Sequence, residues 1–234
     1  GQTIVGGIHT PDDESGDAHS FTSHLAHTCE ENGVRFQFSE TIQEIKTEGA
    51  SIFSVATNKR DYCADAYVVS LGSYSPLLLR PLGIRLPVYP TKGYSVTIPI
   101  SDRNSAPDTS ITDEENKIVY SRLGNRLRVA GTAEFAGYNT AINENRAKGI
   151  LVKAEEQFPN GGDFNRATPW AGLRPLTPDG MPVIGQTSIK NLFLNTGHGT
   201  LGWTTCLGSG KATSDLVSGV QPEIDISGFG IERF

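Results

Sequence analysis

Three cysteines, a single methionine and the want of any long apolar run restrict what this 234-residue chain can be. Cys29, Cys63 and Cys206 are odd in number and widely scattered, which argues against a disulfide framework and against a CxxC metal site. The reduced cytosol fits such cysteine usage best. No stretch approaches the roughly 18–20 consecutive apolar residues that cross a bilayer, and the first residues lack the basic-then-apolar order of a secretory signal. A peripheral contact with a membrane stays compatible with both observations. The chain has no Asn-x-Ser/Thr sequon, in keeping with the same compartment. Excess positive charge is missing too: 26 acidic residues outnumber 20 Lys and Arg, for a net charge of −6, so the basic footprint of a nucleic-acid binder is not indicated. The five histidines include His9, His19, His24 and His27, which form no convincing metal-ligand cluster with His198. The G-x-G-x-x-G turn of a dinucleotide-binding βαβ unit, which holds a pyrophosphate, reads as absent as well.

What is present is the composition of an ordinary globular protein, 37% hydrophobic and 20% charged, long enough for one large domain or two small ones. Residues 12–33 space Phe21, Leu25 and Cys29 four apart behind a cap at Asp17 and before a stop at Gly33, which predicts one amphipathic helix. "VRFQF", "TIQEIKTE" and "SIFSVATN" alternate like strands, broken at Ser39 and Gly49. "AYVVSLG" reads as a buried strand that feeds a short helix, Leu77 to Leu79, through Gly72 and Ser73. Such a turn is either a plain connection or a place where backbone N–H groups meet a phosphate. From "LPVYPTKGYSVTIPI" to "NRLRVAGTAEF" the pattern is antiparallel sheet, interrupted by "SDRNSAPDTSITDEENK", which has no helical period. Residues 140–158 predict a second amphipathic helix, with Ile142, Ile150, Val152 and Phe158 among its apolar positions despite Gly149. The order of elements implies an α/β (α+β) fold in which residues 1–85 and 136–234 share one layer and residues 86–135 form a separate sheet.

Two stretches carry chemistry. "PWAGLRPLTPDGMPVIG" sets Arg174 in a segment that otherwise reads as buried, and a buried guanidinium requires an anion. Either Arg174 pairs internally, with Asp179 the nearest candidate in sequence, or it waits for a ligand. "NLFLNTGHGTLGWTTCLGSG" runs from a strand through Gly197, Gly199 and Gly202 into a helix whose first turn holds Thr204 and Thr205. Its glycines let a flat or charged ligand approach the backbone, and the helix start offers N–H donors and a dipole that favours negative charge.

Together, "GLRPLTPDGMPVIG" and "NLFLNTGHGTLGWT" resemble the carboxy-terminal signature of the FAD-dependent D-amino-acid oxidase superfamily. "PDDESGDAHSFTSHLA", "YVVSLGSYSPLLLRPLGIRLPVYPTKGYSVTIP" and "LRVAGTAEFAGYN" resemble its D-amino-acid dehydrogenase branch. The first residues match a point well inside the family's chain, so the sequence reads as a carboxy-terminal portion that requires an upstream FAD-binding segment. The resemblance implies the remainder of an FAD-binding layer, residues 1–85 and 136–234, plus an antiparallel substrate sheet, residues 86–135. It implies FAD as cofactor and oxidative deamination of a D-amino acid to a 2-oxo acid and ammonia, with the α-hydrogen passing as hydride to flavin N5. A quinone or an electron-transfer partner would take the electrons, at a cytoplasmic location or one peripheral to the inner membrane. On the same grounds Arg174 would grip the substrate carboxylate, and Gly172, Gly197, His198, Gly199, Thr200, Leu201, Gly202, Trp203 and Thr204, with Gly72 and Ser73, would meet the cofactor. Tyr94, Tyr120, Arg122 and His198 are candidate pocket residues; each type is also common in plain sheet or turn positions. Two other readings stay open: an amine oxidoreductase of the same superfamily acting on glycine, sarcosine or proline, and a flavin-free binding or structural fragment.

Overall fold

The computed structural model describes residues 6–234. Its helices are α1 (Ala18–Glu31), α2 (Ser75–Leu79), α3 (Glu144–Gln157) and α4 (Gly202–Val217). The strands in chain order are β1 (Ile42–Glu48), β2 (Ser51–Thr57), β3 (Asp61–Tyr62), β4 (Tyr67–Val69), β5 (Tyr89–Pro99), β6 (Ile111–Asp113), β7 (Ile118–Leu123), β8 (Arg126–Glu134), β9 (Thr168–Leu176), β10 (Val183–Gln186) and β11 (Leu192–Thr196). Helices combined with mostly antiparallel sheet give the mixed fold class that the sequence implies. The chain divides into two compact units, the first made of Gly1–Cys29, Tyr94–Thr132 and Ile142–Trp170, the second of Glu30–Gly93, Ala133–Ala141 and Ala171–Phe234. Residues 1–5 of the first stretch lie outside the described residues. No helix among the described residues is long and apolar enough to cross a membrane.

In the first unit, β6, β7 and β8 form an antiparallel ladder within a sheet of order β6-β7-β8-β5-β9. β7 turns into β8 through Gly124 and Asn125, and Gly124 takes the left-handed φ of 63° that a two-residue hairpin loop demands. Helix α3 lies on this sheet through Ala147, Ile150 and Ala154, all buried. A side chain at position 131 would meet Ile118 Cγ1 at 3.0 Å and Ile150 Cγ1 at 3.7 Å, so Gly131 is what permits the close approach of strand and helix. The helix starts later than its apolar spacing predicts, because the Asn143 side chain accepts from the amides of Asn145 and Arg146 and caps it there. Ile142 therefore lies outside the helix, a correction to the predicted span, and both it and Val152 are exposed. Helix α1 has its expected cap, with Asp17 Oδ1 accepting from His19 and Ser20 at 3.1 Å, yet no residue in it is buried.

In the second unit, β1 and β2 meet across Gly49 and Ala50, where Gly49 has a φ of 58°. Strand β3 continues that sheet, and a second sheet has the order β10-β11-β4, with β11 and β4 parallel. Their core joins Ile52, Val69, Leu79, Ile84, Leu86, Val88, Val183, Leu192 and Leu194, while α4 packs against β10 and β11. "VRFQF" is a further correction: residues 34–38 form no strand and pair with none among the described residues. Phe36 and Phe38 stack on each other at 5.6 Å, so their alternation yields a local ring pair in place of a ladder.

Candidate functional site

Strand β9 carries Arg174 on the face opposite its neighbours Leu173 and Pro175. The guanidinium lies over Gly93 of β5: a Cβ built on Gly93 would stand 2.5 Å from Arg174 Cζ and 2.7 Å from each terminal nitrogen. Glycine at 93 thus opens the floor on which the cation rests. Arg174 is half-buried, and burial alone moves its pKa, downward, with no neighbouring acid acting on it. Among the described residues it forms no hydrogen bond or ion pair. Asp179, the internal partner considered above, is committed elsewhere: Arg233 Nε stands 2.7 Å from Asp179 Oδ2, and this pairing holds the carboxyl at a pKa of about 2. A cation partly withdrawn from water without a counter-charge is costly, and an anion with two acceptor oxygens relieves that cost.

The glycine turn after β11 is fastened to the same stretch of β9. Gly199 N donates to the carbonyl of Pro175 at 3.0 Å, the residue next to Arg174. Gly197 and Gly199 adopt φ of 76° and 55°, where only glycine is unstrained. Cβ atoms there would approach Thr177 Cγ2 at 2.9 Å and Leu176 Cδ2 at 3.1 Å. The spacing Gly197-x-Gly199-x-x-Gly202 is that of the dinucleotide fingerprint, set between strand β11 and helix α4, a correction to the reading that the sequence lacks it. Helix α4 begins without a side-chain cap. Thr200, Leu201, Trp203 and Thr204 form the exposed rim of the turn, and Gly202 and Gly172 are half-buried.

A second turn borders β9. Ser73 Oγ donates to the carbonyl of Leu173 at 3.4 Å, Gly72 (φ 54°) abuts Pro175, and Thr196 Oγ1 donates to the Gly72 carbonyl at 3.3 Å. Arg174, Gly172, Gly72, Ser73 and the 197–204 turn are therefore gathered in the second unit. His198 is there too: its Nε2 lies 3.0 Å from Ser209 Oγ, tying the turn to the helix, and its burial depresses its pKa.

The other three candidates belong to the first unit. Tyr94 is buried in β5. Tyr120 is 1% exposed, edge-on to Phe158 at 5.2 Å, with burial pushing its phenol up to about 12. Arg122 spends Nη1 on Asp108 at 2.8 Å and on the carbonyls of Arg103 and Ala106, which closes the 103–108 loop beside a cavity of about 540 Å³. Sequence reasoning missed Gly93, the buried Lys92 before it, and Arg233. A lysine inside the buried run "YPTKGYSV" was the available signal for the first two.

Gly197, Gly199 and Gly202 lack side chains that would press on Thr177, Leu176 and His198, so the turn folds tightly onto β9 next to an uncapped helix start. Residues 1–216 match the FAD dependent oxidoreductase family, DAO, and the chain belongs to that family. It is 54% identical to a D-amino acid dehydrogenase of Paramagnetospirillum magneticum, over 99% of this chain and 55% of that protein. It is 52% identical to the namesake from Granulibacter bethesdensis, with the same coverage. The chain spans about half the length of the curated relatives it matches. Among solved structures, glycine oxidase from Geobacillus kaustophilus superposes with a TM-score of 0.83 at 23% identity, covering 93% of this chain and 58% of that one. L-proline dehydrogenase from P. horikoshii gives 0.81 at 16% identity, with 92% and 59% covered. These two likenesses are of fold.

Proposed function

We propose that the chain is the carboxy-terminal portion of an FAD-dependent D-amino-acid dehydrogenase and supplies its substrate clamp and part of its flavin cradle. The observation that carries this reading is the half-buried guanidinium of Arg174, without a counter-charge among the described residues and tied through Pro175 to the glycine turn. Arg174 binds the amino-acid carboxylate by two parallel N–H···O bonds, a geometry a planar guanidinium presents and an ammonium does not. Gly197, Gly199 and Gly202 would hold the isoalloxazine edge, and the start of α4 would turn its dipole toward the negative charge that reduction places on the ring. FAD, when bound, supplies the two-electron acceptor for the α-hydrogen. Arg174 fixes where that hydrogen points, so catalysis by this chain is chiefly positioning, and no protein base at the α-carbon is needed. The resulting imino acid hydrolyses to a 2-oxo acid and ammonia.

The D-amino-acid assignment, as against a glycine- or proline-type substrate, rests on the dehydrogenases at 54% and 52% identity. Residues 86–135 serve in this reading as the substrate sheet, and 1–85 with 136–234 as the rest of the FAD layer. The antiparallel β7–β8 ladder suits the first role and the parallel β4–β11 pair the second, while β9, from the second range, joins the five-stranded sheet. A quinone or electron-transfer partner takes the electrons at the inner membrane's periphery. Steady-state kinetics of Arg174→Met in the full-length protein test the clamp: kcat/KM for D-amino acids falls by a factor of 10² or more, the loss of a charge-assisted pair. Kinetics close to those of the unaltered protein would refute it.

A further inference from the structure

Lys92 is 2% exposed, yet its ammonium is not idle: Nζ stands 3.0 Å from Glu134 Oε2 and donates to the carbonyl of Ala141 at 2.9 Å. Those two contacts grip both ends of the segment Ala133–Ala141. Alternation along β5 puts Lys92 on one face and Tyr89, Thr91 and Gly93 on the other. Gly93 is the floor under the Arg174 guanidinium, so Tyr89 rises from the same face of the same strand, about 13 Å away at four residues of roughly 3.3 Å. Phe135, next to Glu134, crosses to that face and meets Tyr89 with ring centroids 5.6 Å apart and planes at 57°. β8 and β9 flank β5 on opposite sides. Phe135 thus reaches the face from one side and Arg174 from the other.

Both rings are solvent-accessible, Phe135 at 76%. An aromatic pair that this chain leaves exposed, on the face that also bears a cation without a counter-charge among the described residues, is complementary to an acid with an apolar tail: the charge takes the carboxylate and the rings take the tail. We propose that Tyr89 and Phe135 form the side-chain subsite of the Arg174 carboxylate site, selecting acids with large apolar substituents, and that Lys92 is the positioning residue that holds this subsite to the strand flooring the clamp. The proposal rests on the carboxylate reading of Arg174. Lys92 acts through Glu134 and the backbone of Ala141 and touches no ligand. Its long stem and point charge let one residue fasten two separated segment ends from within a dry interior.

Calorimetric titration of the full-length protein with acetate and with 3-phenylpropionate tests this without turnover, since neither acid has an amine to oxidise. The unaltered protein binds 3-phenylpropionate about tenfold or more tightly than acetate, and Phe135→Ala and Tyr89→Ala each cut that preference about tenfold. Lys92→Met cuts it likewise and Lys92→Arg restores most of it. Should Lys92→Met fail to fold, Glu134→Gln decides: a lost preference supports the tether, a retained one overturns it. Acetate and 3-phenylpropionate binding with equal affinity overturns the subsite and leaves the Arg174 clamp standing. Binding of neither acid overturns the clamp and the subsite together. Equal weakening of both acids by Lys92→Met, or no change in either, overturns the positioning role alone.

Discussion

The guanidinium of Arg174 occupies the space that a side chain on Gly93 would fill, with Cζ 2.5 Å from the position of that absent Cβ. A strand glycine and an arginine 81 positions later are thereby one device, in which the missing atom of the first lets the second lie flat above the sheet.

Gly93→Ala is accordingly expected to separate binding from stability. The added methyl meets the far end of a flexible side chain, which can swing away, so the melting temperature stays near that of the unaltered protein. The displaced guanidinium no longer presents both donors together, and carboxylate affinity falls at least about tenfold, or ~1.4 kcal/mol. Paired thermal melts and carboxylate titrations check it; tight binding by the variant would show that the floor is not required.

Asp179 and Arg233 predict an acid-sensitive tether. The Asp179 carboxyl sits at about 2 in the folded chain against its usual 3.8. A depressed carboxylate stabilises fully above the unfolded value and loses that contribution as pH falls through the folded one. Stability should therefore drop between about pH 4 and pH 2 through this pair. Asp179→Asn should remove its share of the drop, measured as melting temperature against pH for the two proteins in parallel.

His198 titrates in a different window. Burial beside Ser209 lowers its pKa below the ordinary 6.5, so the folded protein binds its proton less well than the unfolded chain does. Its contribution is complete above about pH 6.5 and fades as pH falls through the lowered folded value. A His198→Asn variant should show a flatter stability profile between pH 7 and pH 5 than the unaltered protein. Identical slopes would mean the ring is not held neutral in the turn.

Local signals were legible in the sequence and distant ones were not. The Asp17 cap and the Gly49 turn depend on a few adjacent residues, and both occur where propensity places them. "VRFQF" has the alternation of a strand, but a strand also needs a partner, and residues 34–38 find none. The apolar spacing around Ile142 was overridden by the Asn143 cap one residue on. At the site, Arg174 stood out because a cation in an apolar run is costly without a counter-charge. Gly93, Lys92 and Arg233 did not stand out, since each acts on a partner 42 to 81 positions away that only the folded sheet brings near.

The carboxylate clamp beside the glycine cradle is tested most directly by a crystal structure of the full-length protein with FAD and a non-reacting carboxylate analogue of a D-amino acid. The expected result is the carboxylate paired by two N–H···O bonds to Arg174, with the flavin ring against Gly197 to Thr204. A well-ordered analogue bound elsewhere, with Arg174 left unliganded, would contradict it.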